Sequence, residues 1–336
     1  MRPMSQNRST VGRNSATATP SQSVRSRHTI AVMEALVVTV LWSSSWVLIK
    51  FGLQDVPPLI FSGLRYSVAS AILLGVILAR PKHRIFLKGR NRRWWTSIAA
   101  YGTIFVAITQ GAQYVGLAVL DAITVSMLLN LTPILVLLLG SSLLREVPST
   151  RQVALILLSV LGAMIYVYPV QFDASQTIGI AVVIVGVIAN AVSSIMGRSI
   201  NRERDSSPVV VTGLSMTIGS ILLLAVGLAV EGVVSLTPLS IVYVVWLSVV
   251  NTAFAFTLWN RAMQTLRAVD MSIINSTMMP QIALLAVWFL GEMPTILDWV
   301  GLAVLGISVA LVQVDQARKL ASNQRTKTGD NLTDPG

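Results

Sequence analysis

Cysteine is absent from these 336 residues, so neither a disulfide nor a thiolate metal site can form. Charge is scarce: only 12% of residues are Asp, Glu, Lys or Arg, about half the share usual in a soluble domain. Two histidines occur, His28 in a polar tail and His83 in a basic segment. Neither has a second ligand at metal-binding spacing, so no metal and no cofactor are expected. No G-x-x-x-x-G-K-[ST] loop and no H-E-x-x-H helix is present, which argues against ATP drive within the chain and against zinc hydrolysis. No long polar insertion could house a catalytic domain.

What is present is mostly apolar: 54% of the chain is hydrophobic. A net charge of +11 and a pI of about 10.7 could suggest nucleic acid, but the placement of the charge speaks against it. Basic residues stand in short clusters between long uncharged runs, as they do beside membrane spans. Crossing ~30 Å of hydrocarbon takes ~20 apolar residues per helix. Ten runs qualify: 30–50, 58–79, 94–116, 121–143, 150–169, 177–198, 208–230, 239–263, 269–290 and 295–314. The expected fold is an all-α integral membrane protein. Residues 1–29 and 315–336 are expected to be disordered polar tails. A transit peptide is the alternative for the first tail, and the first span, with no cleavage site after it, should stay in the mature protein.

Ten crossings put both tails on one side. Twenty-three of the twenty-five Lys and Arg residues lie in segments of that side: 1–29, 80–93, 145–151, 198–204, 261–267 and the C-terminal tail. The alternate loops hold Lys50 alone, with Asp55, Asp121, Asp173, Glu231, Glu292 and Asp298. The positive-inside rule makes both tails cytoplasmic, in a plasma (inner) membrane.

One pattern occurs twice, about 147 residues apart. Leu131-Thr132-Pro133-Ile134 precedes Arg145-Glu146-Val147-Pro148-Ser149, and Met278-Met279-Pro280-Gln281 precedes Gly291-Glu292-Met293-Pro294-Thr295. A duplicated apolar unit with matching helix breaks is the best sequence pointer to a mid-membrane binding site. Each unit has five crossings, an odd number. The second, 177–314, should therefore sit upside down relative to the first, 30–169.

These residues resemble the EamA-type members of the drug/metabolite transporter superfamily, over roughly 31–314. The resemblance rests on Leu41-Trp42-Ser43-Ser44-Ser45-Trp46, on Leu64-Arg65-Tyr66 and on the two Pro-to-Glu segments. The family usually has Gly where Ser43 stands, and Gly before the glutamate, kept at Gly291 but replaced by Arg145. It implies ten helices as two inverted five-helix repeats, a central cavity, and export or exchange of small organic metabolites.

Within that frame, Pro133 and Pro280 should free the carbonyls of Leu129 and Ser276, four residues back. In lipid a freed carbonyl needs a partner from protein, water or ligand. Asn130 and Thr132 flank the first break, and Asn275, Ser276 and Thr277 precede the second. Arg65 lies ~10 Å into its span, too deep for a loop charge, and is expected beside Trp42 to Ser45. It is either a cationic anchor for a carboxylate-bearing substrate or a tie between helices. Glu34, an acid inside an apolar helix, is either a proton-coupling group or an interfacial residue held by its helix N-terminus and by Arg25, Arg27 or His28. Glu146 and Glu292 are expected to stabilise turns or form part of a gate, with Ser149-x-x-Gln152 and Thr295-x-x-Asp298 as capping signals.

Trp42, Tyr114, Trp259 and the methionines Met127, Met271, Met278 and Met279 either line a soft cavity or simply pack. Asn190, Ser193 and Ser194 match Leu41 to Ser45 in position, which would set the two spans face to face. The residues favour a secondary transporter whose substrate contacts Arg65, Trp42, Ser45, Asn130, Asn275, Tyr114 and Trp259, with spans 5 and 10 peripheral. The alternatives are an intramembrane enzyme acting on lipid or lipid-linked substrates, which would need a cluster of acids, His or Lys, and a non-transporting scaffold or a channel, the latter favouring polar rings from several subunits. The expected partners are a small-molecule substrate and the bilayer. Substrate, coupling ion and oligomeric state, a homodimer included, stay open.

Overall fold

The computed structural model describes residues 20–132, 134–136, 138–139, 149–167, 173–202, 207–263, 265–266, 274–275 and 277–330. Among them every regular element is a helix. Helix α1 is Pro20–Gly52, α2 is Pro58–Ala79 and α3 is the short Pro81–Ile85. Helix α4, Arg92–Gly102, passes through a π-helical turn at Thr103–Gln110 into α5, Gly111–Val119, and α6 is Ala122–Leu129. Helix α7 is Thr150–Val167, α8 is Ala174–Arg202 and α9 is Pro208–Glu231. Helix α10, Pro238–Ser248, passes through a π-helical turn at Val249–Phe254 into α11, Ala255–Met263. Helix α12, Met278–Leu285, ends in a third π-helical turn at Ala286–Leu290, and α13 is Ile296–Asp330.

Among the described residues, six stretches are long and apolar enough to cross a bilayer: Thr29–Gly52, Pro58–Ala79, Arg92–Val119, Ala174–Gly197, Val209–Glu231 and Pro238–Trp259. Apolar helices at Thr150–Tyr166, Met278–Leu290 and Ile296–Val312 are shorter. Two polar segments expected to be disordered are partly helical, since α1 begins at Pro20 and α13 continues to Asp330. No Gly or Pro falls between 21 and 51 or between 307 and 328. Adding residues to an existing helix avoids the cost of a new nucleus.

The expected capping signals form. Ser149 N–H donates to Gln152 Oε1 at 3.0 Å while Gln152 N–H donates to Ser149 Oγ at 3.4 Å. Thr295 and Asp298 do the same at 2.7 and 3.2 Å. Asp173 and Gln176 make a third such box, not foreseen, at 3.2 and 2.8 Å. The Gln176 N–H and the Ser175 hydroxyl, both donating to it, hold the exposed Asp173 carboxyl below its ordinary pKa.

Helices from the two halves pack as antiparallel pairs. Glu231 at the end of α9 accepts from Leu59 and Ile60 at the start of α2. Arg151 at the start of α7 pairs with Asp315 late in α13, at 3.8 Å. Helices α7 and α13 pack mainly on each other, which makes them peripheral. Helix α1 lies on α11 and α12, while α8 lies on α5 and α6. Helices α4 and α9 touch through backbone: a Cβ on Gly219 would stand 2.2 Å from the Gly102 carbonyl oxygen.

Candidate functional site

A polar seam crosses the apolar core, and Arg65 is its charged member. Arg65 is the eighth residue of α2, ~10 Å from the helix start, and is 5% exposed. Its Nε donates to Thr252 Oγ1 at 3.0 Å and its Nη1 to Tyr114 Oη at 3.1 Å. Its guanidinium lies 5.3 Å from the centroid of the Tyr66 ring. Ser248 Oγ also donates to the Arg65 carbonyl, at 2.9 Å, so α10 grips both backbone and side chain. Among the described residues no carboxylate pairs with Arg65. A guanidinium has five N–H donors, and the two bonds to Thr252 and Tyr114 leave most of them for a further acceptor.

The partner Thr252 owes its position to the π-helical turn. Its hydroxyl reaches the carbonyl five residues back, Leu247, at 2.8 Å. Thr109 makes the same five-residue reach to Ile104, at 2.9 Å, in the π-helical turn after α4. Such turns recur at functional sites. The two turns hold further polar groups: Gln110 accepts from Tyr66 Oη at 2.8 Å, and Asn251 donates to the Leu41 carbonyl and, at 3.4 Å, to Ser44 Oγ. Asn251 is fully buried and its Oδ1 has no partner. A buried acceptor left alone is costly, so a donor brought to it would be stabilising.

From Ser44 the seam passes to Ser43, whose hydroxyl donates to Gln281 Oε1 at 3.0 Å. Gln281 Nε2 in turn donates to Thr39 Oγ1 at 3.2 Å and Thr277 Oγ1 at 3.1 Å. Thr277 is the turn that precedes α12, and Pro280 is the third residue of that helix. The interruption therefore lies before Pro280. Proline fits the first helical turn, where its missing N–H has no partner to lose. The other break follows suit: α6 ends at Leu129, and Asn130 caps it with Nδ2 donating to the Ser126 carbonyl at 2.9 Å. Thr132, just beyond, receives Asn190 Nδ2 of α8 at 3.3 Å. Pro133, Glu146, Ser276 and Met271 lie outside the described residues.

Several expectations need correction. Arg65 contacts α5, α10 and the π-helical turn after it, in place of the serines of α1. The Ser45 hydroxyl is engaged by its own helix, at the Trp42 carbonyl 2.6 Å away, and Ser45 is buried. Tyr114 is fully buried, so it positions Arg65 rather than lining open space. Asn275 is exposed. Asn190 reaches α6 instead of facing Leu41 to Ser45. Trp42 and Trp259 do meet, 5.0 Å between ring centroids, with Phe256 at 5.3 Å from Trp42.

Glu34 is no helix N-terminal residue, because α1 begins fourteen residues earlier at Pro20. Its Oε1 instead pairs with Arg261 Nε at 3.2 Å. Glu292 does act at a turn. Its Oε1 accepts from Ala122 N–H at 2.7 Å and its Oε2 from Ile123 N–H at 3.0 Å, the first two residues of α6. Gly291, at φ 68°, supplies the left-handed bend that presents it. Thr252, Gln281, Asn251 and Gln110 were missed, although a polar residue inside an apolar span was a signal in each case.

A family model described as the EamA-like transporter family matches residues 29–168 and 177–314. An uncharacterized transporter of Archaeoglobus fulgidus is 24% identical over 277 residues, 79% of this chain and 91% of its own length. For a second transporter of that organism, 25% identical, the chain spans 64% of its length. A probable amino-acid metabolite efflux pump of Escherichia coli is 31% identical over 134 residues, 40% of this chain and 41% of that one. A solved crystal structure superposes with a TM-score of 0.62 at 19% identity, covering 87% of this chain and 99% of the other, which shows a shared fold.

Proposed function

The chain belongs to the EamA-like transporter family, and from that premise we propose that it is a secondary transporter exporting or exchanging small carboxylate-bearing organic metabolites. The observation that carries this reading is Arg65, a buried cation held by two neutral hydroxyls and faced by no described acid. A fixed, desolvated guanidinium binds a carboxylate through paired hydrogen bonds. The orphaned acceptor Asn251 Oδ1, on the residue beside Thr252, would take a substrate N–H. An acceptor beside a carboxylate anchor fits an amino-acid-like solute, and a relative at 31% identity is named a probable amino-acid metabolite efflux pump.

The chain acts by alternating access between two inverted halves, 30–169 and 177–314, each of five crossings. The antiparallel pairing of α2 with α9 and of α7 with α13 supports the inversion. So do the matched π-helical turns and the matched breaks at Asn130 and Thr277. Both tails face the cytoplasm of a plasma membrane, so Lys50, Asp55, Asp121, Glu231 and Glu292 face outward. Contacts of Asp55 with Thr237 and Ser240, and of Lys50 with the Leu120 carbonyl, gather these residues at one end of the bundle. An enzyme acting on lipid would need clustered acids or bases, and the seam is built of hydroxyls and amides around one arginine.

The test is counterflow in proteoliposomes after a metabolite screen. Purified protein should exchange a carboxylate-bearing solute, and its amide analogue should compete at least about tenfold less well, as expected when a charged hydrogen-bonded pair is lost. Equal competition by the amide analogue would reject Arg65 as the anchor.

A further inference from the structure

Segment 80–93, which joins α2 to α4, holds seven Lys and Arg residues and no acid. The positive-inside rule asks only for charge, and a slack loop would satisfy it. This connector is folded. Its short helix α3 buries His83, whose Nδ1 lies 3.2 Å from Ser207 Oγ at the start of α9. Phe86 and Leu87 pack against the cluster that contains Trp94, Ile98 and Val210. Arg90 Nε donates to the Phe86 carbonyl at 2.8 Å, and its guanidinium stands 5.1 Å from the centroid of the Trp94 ring. Gly89, at φ 73°, makes the bend between them.

That fold leaves Lys82, Lys88, Arg92 and Arg93 exposed, together with Ile85 and Trp95, which are 67% and 41% exposed. Ile85 follows Lys82 by three residues on α3, and Trp95 follows Arg92 by three on α4. Each apolar side chain therefore shares a helix face with a cation. Among the described residues none of these four bases has a carboxylate partner. Segment 198–207, which reaches His83 through Ser207, holds three arginines against two acids and so adds no net negative charge.

We propose that this connector is a docking site for the phosphate headgroup of an anionic phospholipid, with Ile85 and Trp95 entering the apolar layer beside it.

The occupant follows from where the patch stands. The spans Pro58–Ala79 and Arg92–Val119 flank it directly, which keeps it close to the membrane surface. Basic residues in that position attract anionic lipid, each strengthening the association by about fivefold. A nucleic acid or an acidic protein would meet the charges and leave Ile85 and Trp95 in water, whereas a bilayer meets both. The fixed fold lowers the cost of ordering, since the bases are already gathered when the lipid arrives. Beneath Arg90 the Trp94 indole N–H has no acceptor among the described residues, so an oxygen brought to it would be stabilising. The inference rests on membrane placement and is independent of what the chain transports.

The test is native mass spectrometry of the full-length protein in detergent, titrated with phosphatidylglycerol or phosphatidylcholine. The first phosphatidylglycerol should bind at least about fivefold more tightly than the first phosphatidylcholine, the share of a single base. A quadruple variant, Lys82→Gln, Lys88→Gln, Arg92→Gln and Arg93→Gln, should lose that preference to within about twofold. A control variant, Arg2→Gln, Arg8→Gln, Arg13→Gln and Arg25→Gln, removes the same charge from the N-terminal tail and should keep it. Equal affinity for the two lipids in the unaltered protein overturns the proposal. So does a preference that survives in the connector variant, or one lost equally in both variants. If the quadruple connector variant fails to accumulate, its Lys pair and its Arg pair are changed separately, and each should lower the preference by at least about twofold. Ile85→Ser with Trp95→Ser should weaken both lipids by similar factors, because apolar contact does not read the headgroup; unchanged binding of both would refute the apolar contact.

Discussion

Arg65 on α2 donates through Nε to Thr252, 3.0 Å away in the π-helical turn that follows α10. That one bond joins the first half of the chain to the second through the only charge in the described polar seam. The same threonine reaches back to Leu247. Removing either residue therefore disturbs both the anchor and the turn that places it.

Arg65→Lys keeps the charge and loses the planar fork that serves Thr252, Tyr114 and a carboxylate together. Transport should drop at least tenfold, by roughly 1.4 kcal/mol or more of binding free energy. Thr252→Val and Tyr114→Phe each remove one hydroxyl and should cost about 1 kcal/mol of stability. In counterflow they should raise KM more than they lower the maximal rate. Wild-type KM in both would show that neither positions the guanidinium.

Glu34 pairs with Arg261, whose side chain is 69% exposed. The Glu34 side chain is 15% exposed, but with one partner open to water the pair contributes at most ~1 kcal/mol. Glu34→Gln should therefore lower the melting temperature in detergent only slightly and should leave pH-driven transport intact. The Glu34→Arg, Arg261→Glu double exchange should recover most of any loss. Abolished pH-driven accumulation with intact counterflow would restore Glu34 as the proton carrier.

Gly219→Leu should prevent folding, because even a Cβ there meets the Gly102 carbonyl oxygen at 2.2 Å and Val106 at 2.6 Å. The clash is with backbone, which cannot swing aside, and overpacking of this kind costs ~1–3 kcal/mol or more. Gly75→Leu, which faces open space, should accumulate normally. Size-exclusion profiles of the two variants decide the matter; a monodisperse Gly219→Leu protein would refute this close approach.

Gln281→Leu should reduce transport much more than stability. Its amide joins Ser43, Thr39 and Thr277 across α1 and α12. Thr39 and Thr277 also bond carbonyls three residues back, those of Leu36 and Ile274, both at 2.7 Å. Those fallback partners limit the loss of stability to ~1 kcal/mol. A melting shift without a transport defect would make the residue purely structural.

How far the sequence could be read depended on whether a property is local. Capping at Ser149 and Thr295 was legible because the partners stand three residues apart. The interruption near Pro280 was legible too, although the proline begins the new helix instead of bending an old one. The depth of Arg65 followed from counting residues along an apolar run. Its partners did not, since Tyr114 and Thr252 come from helices 49 and 187 residues away. Glu34 was misplaced because the start of α1 was set where the apolar run begins, and a helix can extend into polar residues without a new nucleus.

The sequence by itself determined the solvent and the elements. Hydrophobic runs and clustered basic residues need no tertiary contact to mark a membrane protein, because lipid obliges each crossing to satisfy its own backbone. Only the packed structure decided which polar groups meet. The π-helical turns rotate Thr252 and Asn251 into the seam, and the closure of two distant halves brings Glu292 onto α6. Contacts of that kind depend on helix phase and crossing, which no local stretch of residues fixes.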